Sequence, residues 1–424
     1  MNVHEWIVRS KKMVTEGADK LPGFDTPANE FQELHIELTY ACNLRCRMCN
    51  VWGIYGNDRL MPKKEMSVEE LVDYIDESRI LKRTGGVVIS GGEPFLKKGF
   101  EELCKYFMTH YQNLRVGILS NLYHHELILR KLKALEPYMN RLWIGTSLDG
   151  LDELHNDTRG VKDAFSHFLT SLGLLKATFP QLPLVVNYTL TTDNYRGIFD
   201  AHKFCRERGL DLSIQFPVPW KGAEIFTFSE NQLREIEDHL MKIMEDAVRD
   251  HESNKMDDKG LMAKLYYLSG LMDYQRNPRR VFERCVAGRR FTSISPEGKV
   301  YFCPILKNMT VGDLRDSPFD EIWNGKEARG LRKRIDKGFC DCWLNCTIYP
   351  NASESLADNQ IIKEKRNLLK KLRLPAFAGI IKSRHSRGNG KQEIQPVDIA
   401  RQNQKSPDSH FRGNDVKNTE TNIT

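Results

Sequence analysis

The 424-residue chain has no apolar stretch near the ~18 consecutive residues of a membrane span, and its opening MNVHEWIVRSKKM lacks a signal peptide's apolar run. A cytoplasmic location is the default expectation. A net positive balance is confined to one place. The net charge is +6, yet residues 363–391 alone carry ten Lys or Arg against Glu364, so the rest of the chain nets −3. Such a slightly acidic body gives no sign of a nucleic-acid groove, and no nucleic-acid partner is expected. Cysteine density is missing too. Disulfide scaffolds are short and cysteine-rich, whereas ten cysteines spread over this long chain fall mostly into two groups, three at 42–49 and five at 285–346. Grouped thiols in a cytosolic chain point to metal binding. Cys104 and Cys205 stand apart on apolar helix patterns and read as core residues.

What is present is an alternation. Strand-like runs occur at LHIEL (34–38), GVVIS (86–90), RVGILS (115–120), LWIGTSL (142–148), LVVNYTL (184–190) and LSIQF (212–216). Helical patterns separate them. Ser67 and Glu70 form a capping-box pattern ahead of Val68, Leu71, Val72 and Ile75, and Phe100, Leu103, Phe107 and Tyr111 make a second apolar face. Six strand–helix units predict an α/β fold with a parallel sheet, curled or open, and chemistry at the C-terminal strand ends. The chain divides into a leader (1–30), this core (31–220), a helical insert (221–280), a compact cysteine-bearing α+β segment (281–350) and a basic, mostly disordered tail (351–424). Ser229 and Gln232 would cap the insert, and PEGK (296–299) reads as the turn of a hairpin between FTSIS and VYF.

Cys42, Cys46 and Cys49 lie in YACNLRCRMCN, directly after the first strand run. Three thiolates can hold three irons of a [4Fe–4S] cluster, leaving one iron open, since four-Cys ligation is usual. A structural zinc would want a fourth Cys or His nearby, and His35 is at no customary offset. The spacing resembles the radical S-adenosylmethionine (SAM) superfamily, whose signature is a Cys, three residues, a Cys, two residues and a Cys. That resemblance implies a partial (β/α)6 TIM-like barrel. It also implies that SAM chelates the open iron and is cleaved to methionine and a 5′-deoxyadenosyl radical, which abstracts hydrogen from substrate. A flavodoxin- or ferredoxin-type electron donor is the expected partner.

Further motifs carry the same resemblance. ISGGEPFL places Gly91, Gly92, Glu93 and Pro94 after the second strand run, where the family's glycine–glycine–glutamate loop binds the cofactor's amino group; glycines admit close backbone approach and a carboxylate accepts from an ammonium. In TSLDGLDELHNDTRG, Ser147, Asp149 and Arg159 match positions that contact the cofactor's ribose and carboxylate. Asn121 and Leu190, at the ends of the third and fifth runs, are further cofactor candidates; the alternatives are a turn residue and a core residue. The family usually has an aromatic residue before the third cysteine, but here it is Met48, whose thioether can still pack on adenine.

The stretch from Cys285 to Cys303, then VGDLRDSPFDEIWNG and CDCWLNC, resembles the C-terminal module called SPASM, or its shorter Twitch form, which holds auxiliary iron–sulfur clusters. Cys285, Cys303, Cys340, Cys342 and Cys346 are five thiols, enough for one auxiliary [4Fe–4S] cluster, with the choice among the last three open and tetrahedral zinc the alternative. The reading is thus an enzyme that modifies a peptide or protein, or oxidises a small molecule. A non-catalytic iron–sulfur carrier would explain the cysteines but leave Glu93 and Arg159 without a role. The first strand run begins at Leu34, leaving little chain for a peptide-recognition domain ahead of it, which weakens a peptide substrate. LLKKLRLPAFAGIIKSR in the basic segment suits an anionic membrane surface; a solvated helix broken at Pro375 is the favoured reading.

Overall fold

A computed structural model describes residues 31–218, 226–253, 255–256, 258–279 and 285–349. The leader, the basic segment and the tail lie outside the described residues. All six apolar runs become strands within a residue or two of their expected bounds. They are β1 (Glu33–Glu37), β2 (Gly86–Ser90), β3 (Arg115–Leu119), β4 (Leu142–Ser147), β5 (Leu184–Thr189) and β6 (Asp211–Gln215). Between them run α1 (Val68–Glu77), α2 (Phe100–His110), α3 (His125–Lys133), α4 (Asp152–Arg159), α5 (Ala164–Thr178) and α6 (Ile198–Glu207). The Ser67 hydroxyl accepts from the Glu70 N–H while the Glu70 carboxylate accepts from the Ser67 N–H, so α1 starts where the capping-box pattern predicts.

Strand order decides between curled and open. It runs β6-β5-β4-β3-β2-β1 without reversal, and every neighbouring pair is parallel. Right-handed crossovers in a sheet whose order never reverses put all the helices on one face. A doubly wound sheet, by contrast, reverses order to cover both faces. The uncovered face is therefore turned inward, as in a partial β/α barrel. Burial agrees. Leu34, Ile36, Ile118 and Ile144, on the helix side, are almost fully buried, while the inward residues His35, Glu37, Asn187 and Ser213 keep part of their surface.

The insert is two packed helices, α7 (Glu230–Glu252), capped by Ser229 and Gln232, and α8 (Asp258–Arg276). Beyond it, β7 (Phe291–Ile294) pairs parallel with β1, from Glu33 opposite Phe291 to Ile36 opposite Ile294. β8 (Lys299–Tyr301) and β9 (Gly312–Asp313) follow antiparallel, so the expected hairpin forms. The described part of this cysteine-bearing segment extends the barrel sheet past β1 to nine strands. Helices α9 (Phe319–Asn324) and α10 (Lys326–Asp336) pack beside it.

One inward row aligns His35, Val88, Gly117 and Trp143 across β1 to β4. Gly117 is there because the Trp143 indole lies over it: a β-carbon at that position would sit 2.2 Å from the ring. Gly117→Ala should therefore displace the indole and lower stability by about 1–3 kcal/mol, read from urea unfolding. An unchanged midpoint would show that the indole is free to move aside.

Candidate iron–sulfur and cofactor site

The Cys42–Cys49 loop leaves the C-terminal end of β1 and is held from several sides. Arg45 and Arg47 donate their backbone N–H groups to the carbonyls of Arg159 (3.0 Å) and Thr158 (3.2 Å), at the end of α4. This close docking needs Gly160, whose φ is +68° and whose β-carbon would fall 2.4 Å from the Arg45 carbonyl oxygen. Cys46 is buried with Leu44 and Met48, and Cys42, Cys49, Tyr123 and Phe226 pack on that cluster. On the approach to Cys42, the Glu65 carboxylate accepts from the Tyr40 N–H (2.6 Å), from the Tyr55 hydroxyl (2.6 Å) and from Thr39, and pairs with Lys97 at 2.9 Å. Nothing in the sequence marked Glu65, since its partners come from three separate segments.

Gly91 and Gly92 pack against that same approach. The Gly92 N–H donates to the Thr39 carbonyl and the Glu93 N–H to the Ala41 carbonyl, both at 2.7 Å. A β-carbon on Gly92 would lie 2.2 Å from the Ala41 oxygen, and one on Gly91 2.4 Å from that of Thr39. The close approach expected of these glycines is thus made to the cysteine loop's own backbone. Glu93 is 2% exposed and accepts from the Ser120 hydroxyl (3.0 Å) and the N–H groups of Asn121 (2.8 Å) and Phe95 (3.3 Å). Burial pushes its pKa up to about 7 despite these donors. Pro94 starts the short helical turn that follows.

Arg159 ties the next motif to the thiols. Its guanidinium pairs with the fully buried Asp149 at 2.5 Å and reaches the Cys46 sulfur at 3.5 Å. Burial opposes its charge, but Asp149, Cys46 and Cys49 outweigh that and hold it protonated. Asp149 also accepts from the Thr189 N–H at 2.8 Å, linking β4 to β5. Asn121 donates to Asn43 at 2.8 Å and stands 3.9 Å from the Cys42 sulfur. Ser147 ends β4 part-exposed on the inner face, opposite Asn187. Leu190 has no exposed surface, which agrees with the core alternative.

Thiols of the second cysteine group also act on one another electrostatically. The Cys303 thiol is raised by burial and then by Cys285, Cys342 and Cys340; that of Cys346 is raised by burial and then by Cys342, Cys303 and Cys285. Because β8 runs against β1, Cys303 lies toward the N-terminal end of β1, and Glu33 at that end acts on Cys346. The two thiol groups therefore sit toward opposite ends of a strand roughly 15 Å long. Cys104 and Cys205 are buried in helices, as expected.

These thiols suit iron–sulfur clusters. None of the ten cysteines forms a disulfide. Among the described residues no three Cys, His, Asp or Glu side chains are placed to hold a single metal ion. The Arg159 Nε and Asn43 Nδ2 groups, beside the first thiols, are buried without partners and can serve a bound cofactor.

Fold and site define an iron–sulfur protein on a partial β/α barrel. Residues 36–205 match the family model of the Radical SAM superfamily, and residues 285–347 that of SPASM, an iron–sulfur cluster-binding domain. The chain is similar to the AdoMet-dependent heme synthase of Methanosarcina barkeri (strain Fusaro / DSM 804), 27% identical over 322 residues, 72% of this chain and 86% of that protein. It is similar to the mycofactocin maturase MftC of Mycolicibacterium smegmatis (strain ATCC 700084 / mc(2)155), 28% identical over 313 residues, 72% of this chain and 73% of that one. In fold it resembles the solved structure of native anSMEcpe with bound AdoMet, with a TM-score of 0.53 at 17% identity, covering 80% of this chain and 100% of that one. The chain is a radical SAM enzyme with a C-terminal SPASM domain. Its cofactors are a [4Fe–4S] cluster, SAM and auxiliary iron–sulfur chemistry. Among the described residues no helix is long and apolar enough to cross a membrane.

A pH dependence follows from Glu93. With its folded pKa near 7 rather than an ordinary 4.5, the cluster-free fold binds the proton more tightly than the unfolded chain does. Stability from this group is fully present below about pH 4.5 and is lost as pH rises through 7, on the order of 3 kcal/mol in all. Urea unfolding of cluster-free protein from pH 5 to 8 should show that decline, and Glu93→Gln should flatten it. Equal slopes in the two proteins would refute the assignment.

Proposed function

We propose that the residues around the first thiol group hold the cofactors in the following roles. Cys42, Cys46 and Cys49 bind three irons of one cluster. Glu93, in the loop of Gly91, Gly92 and Pro94, faces the SAM ammonium, which a buried carboxylate with a raised pKa favours. Arg159 faces the SAM carboxylate, with Asp149 fixing the guanidinium. Asn121, Ser147 and Met48 complete the surroundings, and Leu190 packs in the core. When bound, cluster and SAM together supply a 5′-deoxyadenosyl radical for hydrogen abstraction. The observation that carries this reading is Arg159, a buried cation held between Asp149 and the Cys46 sulfur.

The substrate is a small molecule or a peptide admitted to the inner face of the sheet, where His35, Asn187 and Ser213 offer polar groups with part of their surface open. The similarity to a heme synthase supports the small-molecule class, and the similarity to a mycofactocin maturase keeps the peptide class in view. Electrons come from a flavodoxin- or ferredoxin-type donor. Reconstituted enzyme given dithionite and SAM should form 5′-deoxyadenosine, and Cys42→Ala should lose at least a hundredfold of that rate. Comparable formation by the variant would reject the role given to the first thiols.

One auxiliary cluster is the reading for the second group, on Cys285, Cys303, Cys342 and Cys346, with Cys340 peripheral. Cys346 supports that set, because Cys342, Cys303 and Cys285 act on it directly. In a background with Cys42, Cys46 and Cys49 all changed to Ala, the chain should keep about four irons. Cys346→Ser should then lose them and Cys340→Ser should not; the reverse result would move the ligand set to Cys340.

A further inference from the structure

The helical insert has no role assigned to it from sequence, yet one face of α8 closes on the second thiol group. Tyr267, Gly270 and Tyr274 are spaced so as to share that face, one turn apart. Trp343, in the middle of CDCWLNC, rests against it. The Trp343 indole N–H donates to the Tyr267 carbonyl at 2.9 Å. Gly270 leaves room for the indole, since a β-carbon there would lie 1.9 Å from the ring. The Tyr267 ring stacks on Tyr349 with centroids 4.8 Å apart and planes 22° from parallel.

The Tyr267 hydroxyl is the unexplained group in this packing. The residue is fully buried, and its hydroxyl has no hydrogen-bond partner among the described residues. Buried polar groups are nearly always bonded, so a lone hydroxyl calls for a partner that the described residues do not supply. Loss of solvent, then Tyr349, Cys346 and Cys342, all disfavour its ionisation, so it stays a hydroxyl donor within electrostatic reach of two thiols of the second group. Hydrogen bonds to cluster sulfurs are among the factors that set iron–sulfur reduction potentials.

We propose that Tyr267 donates its hydroxyl hydrogen to a sulfur of the auxiliary cluster, at the Cys342–Cys346 side, and so raises that cluster's reduction potential. Tyr267 is a tuning residue, not a catalytic one. The insert is then part of the auxiliary site: it supplies the donor and clamps the loop that carries the thiols. This inference rests on the auxiliary-cluster reading above.

The test is a redox titration followed by electron paramagnetic resonance, in full-length protein with Cys42, Cys46 and Cys49 changed to Ala, so that only the auxiliary cluster contributes. Tyr267→Phe keeps the ring and removes the donor. The expected result is a more negative midpoint potential with the iron content unchanged. Tyr266→Phe is the control, because Tyr266 is the adjacent buried tyrosine of the same helix and neighbouring helical positions point about 100° apart. An unchanged potential in Tyr267→Phe, or an equal shift in Tyr266→Phe, overturns the proposal. Unfolding of the cluster-free forms is measured alongside. If Tyr267→Phe loses iron while its cluster-free stability is undiminished, the hydroxyl acts on the cluster; iron loss together with a weakened fold makes its role merely structural and overturns the proposal. Absence of iron from the parent protein would instead fail the auxiliary-cluster reading, and this inference with it.

Discussion

The β1–β2 ladder does not stop at the strand ends, and much of the site depends on that continuation. The Leu38 N–H donates to Ser90, then Gly92 to Thr39 and Glu93 to Ala41, so the pairing runs on until it meets Cys42. Two segments that carry different chemistry are thereby fixed in register by backbone hydrogen bonds. The cost is steric: backbones this close leave no space for a β-carbon at either glycine. Glu93 follows as a buried carboxylate, and the N–H of Asn121 and the hydroxyl of Ser120 bring the end of β3 to it.

A second junction fastens the other side of the loop. The last carbonyls of α4 would be unsatisfied at a helix end, and those of Thr158 and Arg159 accept from the cysteine loop. The same Arg159 sends its side chain to Asp149 and Cys46. Backbone and side chain of one residue thus orient the thiol loop and place a cation beside it.

The cysteine-bearing C-terminal segment is coupled to this end of the barrel as well. β7 extends the sheet from β1, and its hairpin turn reaches the cluster loop, where the Tyr40 hydroxyl donates to Glu297 at 2.6 Å. Lys307, four residues beyond Cys303, pairs with Glu37 on the inner face. Its own thiols nevertheless gather toward the opposite end of β1, because β8 reverses direction before reaching Cys303. One strand therefore lies between the two sets of thiols.

Periodicity and spacing alone were enough for the six strands, the capping boxes at Ser67 and Ser229 and the hairpin, because these depend on neighbours a few residues apart. The three clustered thiols and the glycine–glycine–glutamate loop were legible for the same reason: their chemistry is written in contiguous residues. Glu65, Glu297 and Tyr267 were not legible as site residues, since each meets partners far away in the chain. The joining of β7 to β1 was equally hidden, because strand partners are chosen by the packing of the whole sheet. The sequence by itself determined where the thiols cluster and where the six core strands lie. Only the tertiary structure decided that the thiols form two sites at opposite ends of one strand, and that buried carboxylates, an arginine and a lone tyrosine hydroxyl surround them, because such contacts exist only once distant segments share one core.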